Sequence, residues 1–291
     1  MDNLKGKNAF VTGAASGIGL GICRALAREG VNLALADIER APLDNAVAEI
    51  AGLGVKAFGV QLDVSDEAAV GRAAEKVAAG FERLHLLVNN AGVTFAGSPL
   101  LGVPQQQFDW IFGVNVFGML HCLRAFVPLI RKHGEGGHIL NTASIGGLQV
   151  NPQLRNGPYA MTKYAVVAMS ETLALDLQGS GIGVSVFCPA LVATNLMRSG
   201  NRRPERFGGP YQPGAPAATA ASRVMPTRAI SPDEAGMRAV SAIRNDEFFV
   251  FTHSETRAWI EARHRRLMQG FDQVDAWLAG QQGQQQIERE P

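Results

Sequence analysis

Short apolar, often β-branched runs alternate with longer stretches of helical periodicity along most of this chain. Residues 8–12 (NAFVT) read as a strand, 17–29 as a helix, 31–37 (VNLALAD) as a strand and 41–52 as a helix. The alternation continues with strand 55–63, helix 66–79 behind a Ser65/Asp66 cap, strand 84–90, a long helical stretch over 104–133 and strand 137–144. Helix 158–179, strand 182–189, helix 232–244 and strand 247–252 complete it. Strands that are apolar at nearly every position are buried on both faces, and a β–α alternation makes them parallel. The predicted fold class is therefore α/β: a doubly wound parallel sheet of seven strands with helices on both faces.

Two segments break the pattern. Residues 190–230 hold five prolines and the run GAPAATAAS, and a stretch of that length between a strand and a helix is expected to be a lid. Residues 254–280 are amphipathic, with Trp259, Leu267, Phe271, Val274 and Leu278 as apolar anchors. Such a face cannot bury itself, so it must pack on its own subunit or on a neighbour. The closing QQGQQQIEREP is polar and expected to fray. The expected organisation is one catalytic domain over 1–252, its lid at 190–230, then a helical extension and polar tail over 253–291.

Composition narrows the function. With 27 basic and 26 acidic residues in 291, net charge is +1, which gives no general attraction to nucleic acid or to an anionic membrane. Cys23, Cys122 and Cys188 lie far apart in apolar segments, which argues for packed, reduced thiols and against a disulfide framework or a zinc site. No metal is expected. The N-terminus has no apolar stretch of signal-peptide length, and no run approaches the roughly 20 apolar residues that span a bilayer. A soluble, cytoplasmic protein is expected.

The chemistry begins at VTGAASGIGL (11–20). A strand, then Gly13, Gly17 and Gly19, then a helix is an arrangement that cradles phosphate. Gly13 allows a sharp turn, and Gly17 and Gly19 let a pyrophosphate approach backbone N–H groups where the helix dipole favours an anion. Asp37 ends the second strand about 20 residues on, where an acid can accept from both hydroxyls of an adenosine ribose; the alternative is a helix cap or a turn residue.

The TGxxxGxG spacing of TGAASGIG (12–19) resembles the cofactor loop of the short-chain dehydrogenase/reductase family, which brings in Ser16 and Ile18. The resemblance runs from residue 5 to about 252. LDVSD (62–66) resembles the adenine-contacting segment and implicates Asp63 and Val64. NNAG (89–92) resembles the signature after the fourth strand, with Asn90, Ala91 and Gly92. Asn115 in GVNVFG, Ser144 in LNTAS, and Tyr159 and Lys163 in YAMTK match the catalytic positions. CPALVATN resembles the segment that closes over the nicotinamide, with Pro189, Val192 and Thr194. The resemblance implies a Rossmann-type NAD-binding catalytic domain, with Lys163 also holding the nicotinamide ribose and Asn115 anchoring a water in a proton relay. It further implies a homodimer or homotetramer built on the helices at 104–133 and 158–179, whose apolar stripes are Phe112, Val116, Met119 and Leu123 on one and Val166, Met169 and Leu173 on the other.

The acid–base chemistry also follows from the residues. Tyr159 and Lys163, four apart on a helix, share a face. A phenol titrates near pH 10, and an adjacent ammonium favours its phenolate. Tyr159 can then exchange a proton with an alcohol or carbonyl oxygen while a hydride moves, and Ser144 can hydrogen-bond that oxygen. The intact set argues against an epimerase or dehydratase on the same scaffold, and against a non-catalytic NAD-sensing protein.

Three departures from the family pattern stand out. Ser144 and Tyr159 are slightly far apart, Ala190 replaces the usual glycine after Pro189, and the chain runs some forty residues past the last strand. NAD is the expected cofactor, because the loop offers no cation for a 2′-phosphate and Asp37 would repel one; Arg40, the nearest cation, is read as a solvated helix start. The arginines of MRSGNRRPERFGGPY (197–211) either meet a substrate anion, form a solvated face or pair with local acids such as Glu205. His253, Arg263, His264, Arg265 and Arg266 are read as surface or interface residues. The lid, NRRPERF and the tail resemble the branch of bacterial Cα-dehydrogenases that act on lignin-derived aryl ethers. The expected substrate is a small-molecule secondary alcohol or ketone, bulky and aryl or cyclic.

Overall fold

Seven strands form one parallel sheet in the order β3-β2-β1-β4-β5-β6-β7: β1 Asn8–Thr12, β2 Asn32–Asp37, β3 Ala57–Gln61, β4 Leu86–Asn89, β5 Gly137–Thr142, β6 Ile182–Cys188 and β7 Phe249–Phe251. The computed structural model describes residues 1, 3–211 and 227–287. Contacts divide the chain into two units, Met1–His253 and Ser254–Pro291.

The first unit carries the sheet. Helices α1 (Gly17–Arg28), α2 (Arg40–Ala51) and α7 (Pro232–Asn245) enclose one core layer with Ala9, Val11, Leu33 and Leu35. Helices α3 (Glu67–Gly80), α4 (Gln105–Phe112), α5 (Gly118–Lys132) and α6 (Gly157–Asp176) enclose the other, where Phe10 stacks on Phe126 with ring centroids 4.1 Å apart. Neighbouring residues of β1 thus feed opposite cores, as expected of a strand covered on both faces. Asp66 caps α3 by accepting from the Ala69 N–H at 3.0 Å, as its place before the helix predicts.

The expected helix over 104–133 differs in detail. Residues Gly113–Phe117 form a π turn between α4 and α5. The continuous stretch Gln105–Lys132 also reaches a mean hydropathy of 1.5 over an 18-residue window, long and apolar enough to cross a membrane. It is not a run of 20 apolar residues, since Asn115, His121 and Arg124 interrupt it. Its Trp110, Ile111, Met119, Cys122, Phe126 and Ile130 instead fill the core of the sheet. The same facing corrects part of the expected interface stripes: Met119, Leu123 and Val166 are buried within the subunit, and the exposed apolar residues here are Phe117, Met161 and Leu175.

Strand order reverses between β1 and β4, which opens a crevice at their C-terminal ends, the usual ligand site of such sheets. The segment after β6 returns to the body through a parallel bridge between Val192 and Ile230, where the Ala193 N–H donates to Ile230 O at 2.9 Å. Between these ends, 3₁₀ turns Leu196–Arg202 and Glu205–Phe207 build the first part of the expected lid; its remainder, 212–226, lies outside the described residues.

The second unit is one helix, α8 (Arg257–Ile287), after a 3₁₀ turn at Ser254–Thr256. Leu267, Phe271, Val274 and Leu278, expected as buried anchors, are exposed on it, as are Met268 and Trp277.

Candidate active site

The glycine loop turns at Gly13 (φ +63°) and Gly17 (φ +54°), left-handed conformations that favour glycine. A Cβ on Gly13 would sit 2.9 Å from Ala91 Cα, and one on Gly17 3.2 Å from Thr194 Cγ2. The missing side chains leave backbone exposed on a cleft of about 540 Å³. Gly13, Ser16, Gly17, Ile18, Asp37, Asn90, Ala91, Gly92, Ser144, Tyr159, Lys163, Pro189, Val192 and Thr194 all line this cleft. Asp63 and Val64 line an adjoining cavity that shares Gly13, Asp37, Ala91 and Gly92. One continuous groove thus runs from the ends of β2 and β3 across to β5 and β6.

Two expected site residues stand elsewhere. Gly19 does not line the cleft; a Cβ there would lie 2.6 Å from Asn90 Nδ2 and nearer still to the Gly13 carbonyl oxygen. Its role is to let α1 pack under the loop. Asn115, in the π turn, is buried, and its side chain is committed. Its Oδ1 accepts from the Val93 N–H at 2.8 Å, and its Nδ2 donates to Val93 O at 2.9 Å and to Thr162 Oγ1 at 3.0 Å. The amide therefore fixes the loop after β4 to α6.

The loops are held from behind by Thr12, which motif reading passed over, together with Asn90 and Asp37. Thr12 Oγ1 accepts from the N–H groups of both Asn90 and Ala91, each at 3.0 Å. Asn90 Nδ2 donates to the carbonyls of Thr12 and Gly13 at 3.1 and 3.2 Å. Asp37 Oδ2 accepts from the Ala15 N–H at 3.1 Å and Oδ1 from the Glu39 N–H at 3.2 Å, which aligns the carboxylate at the lip of the cleft. Thr12 opens the TG pair, so a hydroxyl at that place was the available signal.

At the other end, α6 presents Tyr159 and Lys163 one turn apart. Lys163 is buried and its Nζ donates to Thr142 O at 2.8 Å, 5.6 Å from the Tyr159 ring centroid. Ser144, after β5, accepts from the Gly146 N–H at 3.1 Å and lines the cleft with Tyr159. Burial pushes the Tyr159 phenol up to about 12, partly opposed by the Ser144 side chain. This differs from the expected lowering by the adjacent ammonium: desolvation is the larger effect on the phenol. Burial also pulls Lys163 down to about 8, and it raises the neighbouring Cys188 thiol to about 12.

Of the other charged candidates, Arg40 pairs with Asp44 at 2.8 Å. His253 is buried rather than on the surface, and its Nε2 meets Arg228 O at 2.8 Å. At the N-terminal ends of β4 and β5, opposite the cleft, His85, His133 and Glu135 cluster. Their ring nitrogens are taken: His85 Nδ1 accepts from the Asn8 N–H and its Nε2 faces Glu135, while His133 Nδ1 accepts from the Glu135 N–H and its Nε2 meets Leu84 O. No lone pair remains there for an ion.

The family model for short chain dehydrogenases matches residues 7–205. The chain belongs to the short-chain dehydrogenase/reductase family. Membership makes it an oxidoreductase. It is 30% identical over 269 residues to the C alpha-dehydrogenase of Sphingobium sp. SYK-6, covering 92% of this chain and 87% of that protein. It is 33% identical over 256 residues to the 1-deoxy-11-beta-hydroxypentalenate dehydrogenase of Streptomyces avermitilis, covering 88% and 87%. Among solved structures, a short-chain dehydrogenase/reductase from Burkholderia phymatum in complex with NAD superposes with a TM-score of 0.86 at 34% identity, over 93% of this chain and 97% of that one.

Proposed function

We propose that this protein is an NAD-dependent dehydrogenase/ketoreductase that moves a hydride between nicotinamide and a secondary alcohol or ketone, with Tyr159 as general acid/base. The observation that carries the reading is the convergence of Ser144, Tyr159 and Lys163 at one end of a groove whose other end holds Asp37. The groove fits a dinucleotide. Its glycine turn leaves backbone open where any Cβ would collide, and Asp37 offers a carboxylate at the place an adenosine ribose needs an acceptor. That carboxylate opposes a 2′-phosphate, which favours NAD over NADP. A bound nicotinamide supplies the hydride acceptor.

The protein's own groups handle the proton. In oxidation, the Tyr159 phenolate oxygen takes the alcohol proton, and the Ser144 hydroxyl steadies the same oxygen as its charge grows. Lys163 holds positive charge beside the phenolate and offers donors to the nicotinamide ribose. Burial raises the Tyr159 phenol to about 12, and the positive charge that an oxidised nicotinamide would bring into the groove would favour the phenolate. Bulky aryl or cyclic alcohols suit the relatives' named activities and the lid after β6. A homo-oligomer is in keeping with the exposed Phe117 in the π turn before α5 and the exposed Met161 and Leu175 on α6. The test is Tyr159→Phe: turnover of a secondary-alcohol panel, followed at 340 nm, should vanish while NADH binding persists. Retained turnover would assign the proton to another group.

A further inference from the structure

The arginine run of the lid does not lie open for a substrate. Three of its four guanidiniums are engaged, and two of these reach the adenosine end of the groove. Arg206 Nη2 donates to Asp63 Oδ2 and to Ser65 Oγ, both at 2.6 Å. Asp63 Oδ1 meanwhile accepts from the Ser65 N–H at 3.0 Å and from the Ser65 hydroxyl at 2.6 Å. Arg202 pairs with Glu39, before α2, at 3.1 Å. Arg203 turns inward and donates to the carbonyls of Gly209 and Gly208 at 2.6 and 3.2 Å, which closes the lid segment on itself. The Thr94 N–H donates to Ser199 Oγ at 3.1 Å and moors the same segment to the loop after β4.

The outcome is a roof. Ser199, Arg202 and Pro204 form one wall of the cavity whose other walls include Asp37, Leu62, Asp63 and Val64. The lid leaves the sheet beside the nicotinamide end, yet its 3₁₀ turns cover the opposite end.

We propose that this roof completes the adenosine pocket and that Arg206 is a positioning residue for Asp63. The inference rests on the dinucleotide reading above. A carboxylate has about four acceptor sites. Ser65 occupies two on Oδ1 and Arg206 one on Oδ2, which leaves one acceptor on Oδ2 held in a fixed direction. Only a donor satisfies it. The 6-amino group of adenine is a donor; the 6-carbonyl of hypoxanthine is an acceptor and would meet the carboxylate unfavourably. Arg206 keeps Asp63 oriented, so preference for a 6-aminopurine depends on a residue 143 positions away in the lid.

The experiment measures dissociation constants of NADH and of reduced nicotinamide hypoxanthine dinucleotide by calorimetry on the full chain. The wild type should prefer NADH. Arg206→Ala should lose about tenfold in NADH affinity, the order expected for one charge-assisted hydrogen bond, and should bring the two ligands within about twofold of each other. Arg206→Lys should recover part of the preference. If Arg206→Ala weakens both ligands equally, or changes neither, the positioning role is wrong while the dinucleotide reading stands. A wild type without preference also overturns it. Failure of the wild type to bind either ligand overturns the dinucleotide reading itself.

Discussion

Gly19→Ala offers a direct test of how α1 sets the groove. The added Cβ would stand 2.6 Å from Asn90 Nδ2 and 2.8 Å from the Gly13 carbonyl carbon, both well inside ordinary contact. Neither neighbour can yield cheaply. The Gly13 backbone is the turn itself, and Asn90 Nδ2 is held by two carbonyls. Overpacking of this kind costs about 1–3 kcal/mol, while replacing a helical glycine returns up to about 1 kcal/mol. The net expectation is a loss of about 1–2 kcal/mol, or roughly 2–8 °C in melting temperature for a domain of this size. Because the shift falls on Gly13 and Asn90, dinucleotide affinity should fall with it. Gly71→Ala is the internal control: Gly71 lies inside α3 with nothing within 4 Å of its would-be Cβ. That variant should gain about 0.5–1 kcal/mol with unchanged affinity. Differential scanning calorimetry with NADH titration reads both. Equal melting temperatures for the two variants, or Gly19→Ala binding NADH as the wild type does, would refute the argument.

Other outcomes follow from the same geometry. Asp37→Ala should weaken NAD binding and narrow the gap to NADP, because the ribose loses its acceptor and a 2′-phosphate loses its opponent; a wild type that prefers NADP by direct titration would overturn that reading of the end of β2. The single-turnover rate of alcohol oxidation should climb with pH across the alkaline range, since burial holds the Tyr159 phenol well above its ordinary value; a flat profile would exclude a titrating phenol. Burial likewise pulls His138 down to about 4, against an ordinary 6.5. Between those values the unfolded chain takes up a proton that the folded one refuses, so stability falls as pH drops from about 6.5 to 4, by on the order of 3 kcal/mol in full. Urea unfolding of His138→Gln should show a shallower acid slope than the wild type, and an identical slope would rule the imidazole out as its source.

Much of this molecule was legible in the order of its residues, for physical reasons. Strands buried on both faces, such as VNLALAD, are apolar throughout and announce themselves, and β2 starts within one residue of the expected place. The cleft-lining loops were legible because glycine, where a backbone must be bare, has no substitute. What stayed hidden depends on facing or on distance in the chain. Met119 and Val166 sit on apolar stripes that fit a core or an interface equally well, and only the packing decides that they are core. Glu205 seemed the natural partner for the lid arginines because it is close in sequence; the partners are Glu39 and Asp63, brought near by the fold. Tyr159 and Lys163 both line the cleft, but a residue pattern carries no measure of desolvation, which shifts both groups.

The bridge between Val192 and Ile230 carries a consequence for divergence. Hydrogen bonds tie the two ends of the lid together at its root, so the sheet does not depend on the length of chain between them. Closing a longer loop across a fixed base costs little, about 0.6 kcal/mol for each doubling of length. Insertions and replacements between these two residues that keep Thr194, Ser199, Arg202, Pro204 and Arg206 can therefore remodel the mouth of the groove while leaving Tyr159, Lys163, the strands and the roof in place. A library confined to that interval and sparing those five residues would sample new substrate shapes on an unchanged reaction centre.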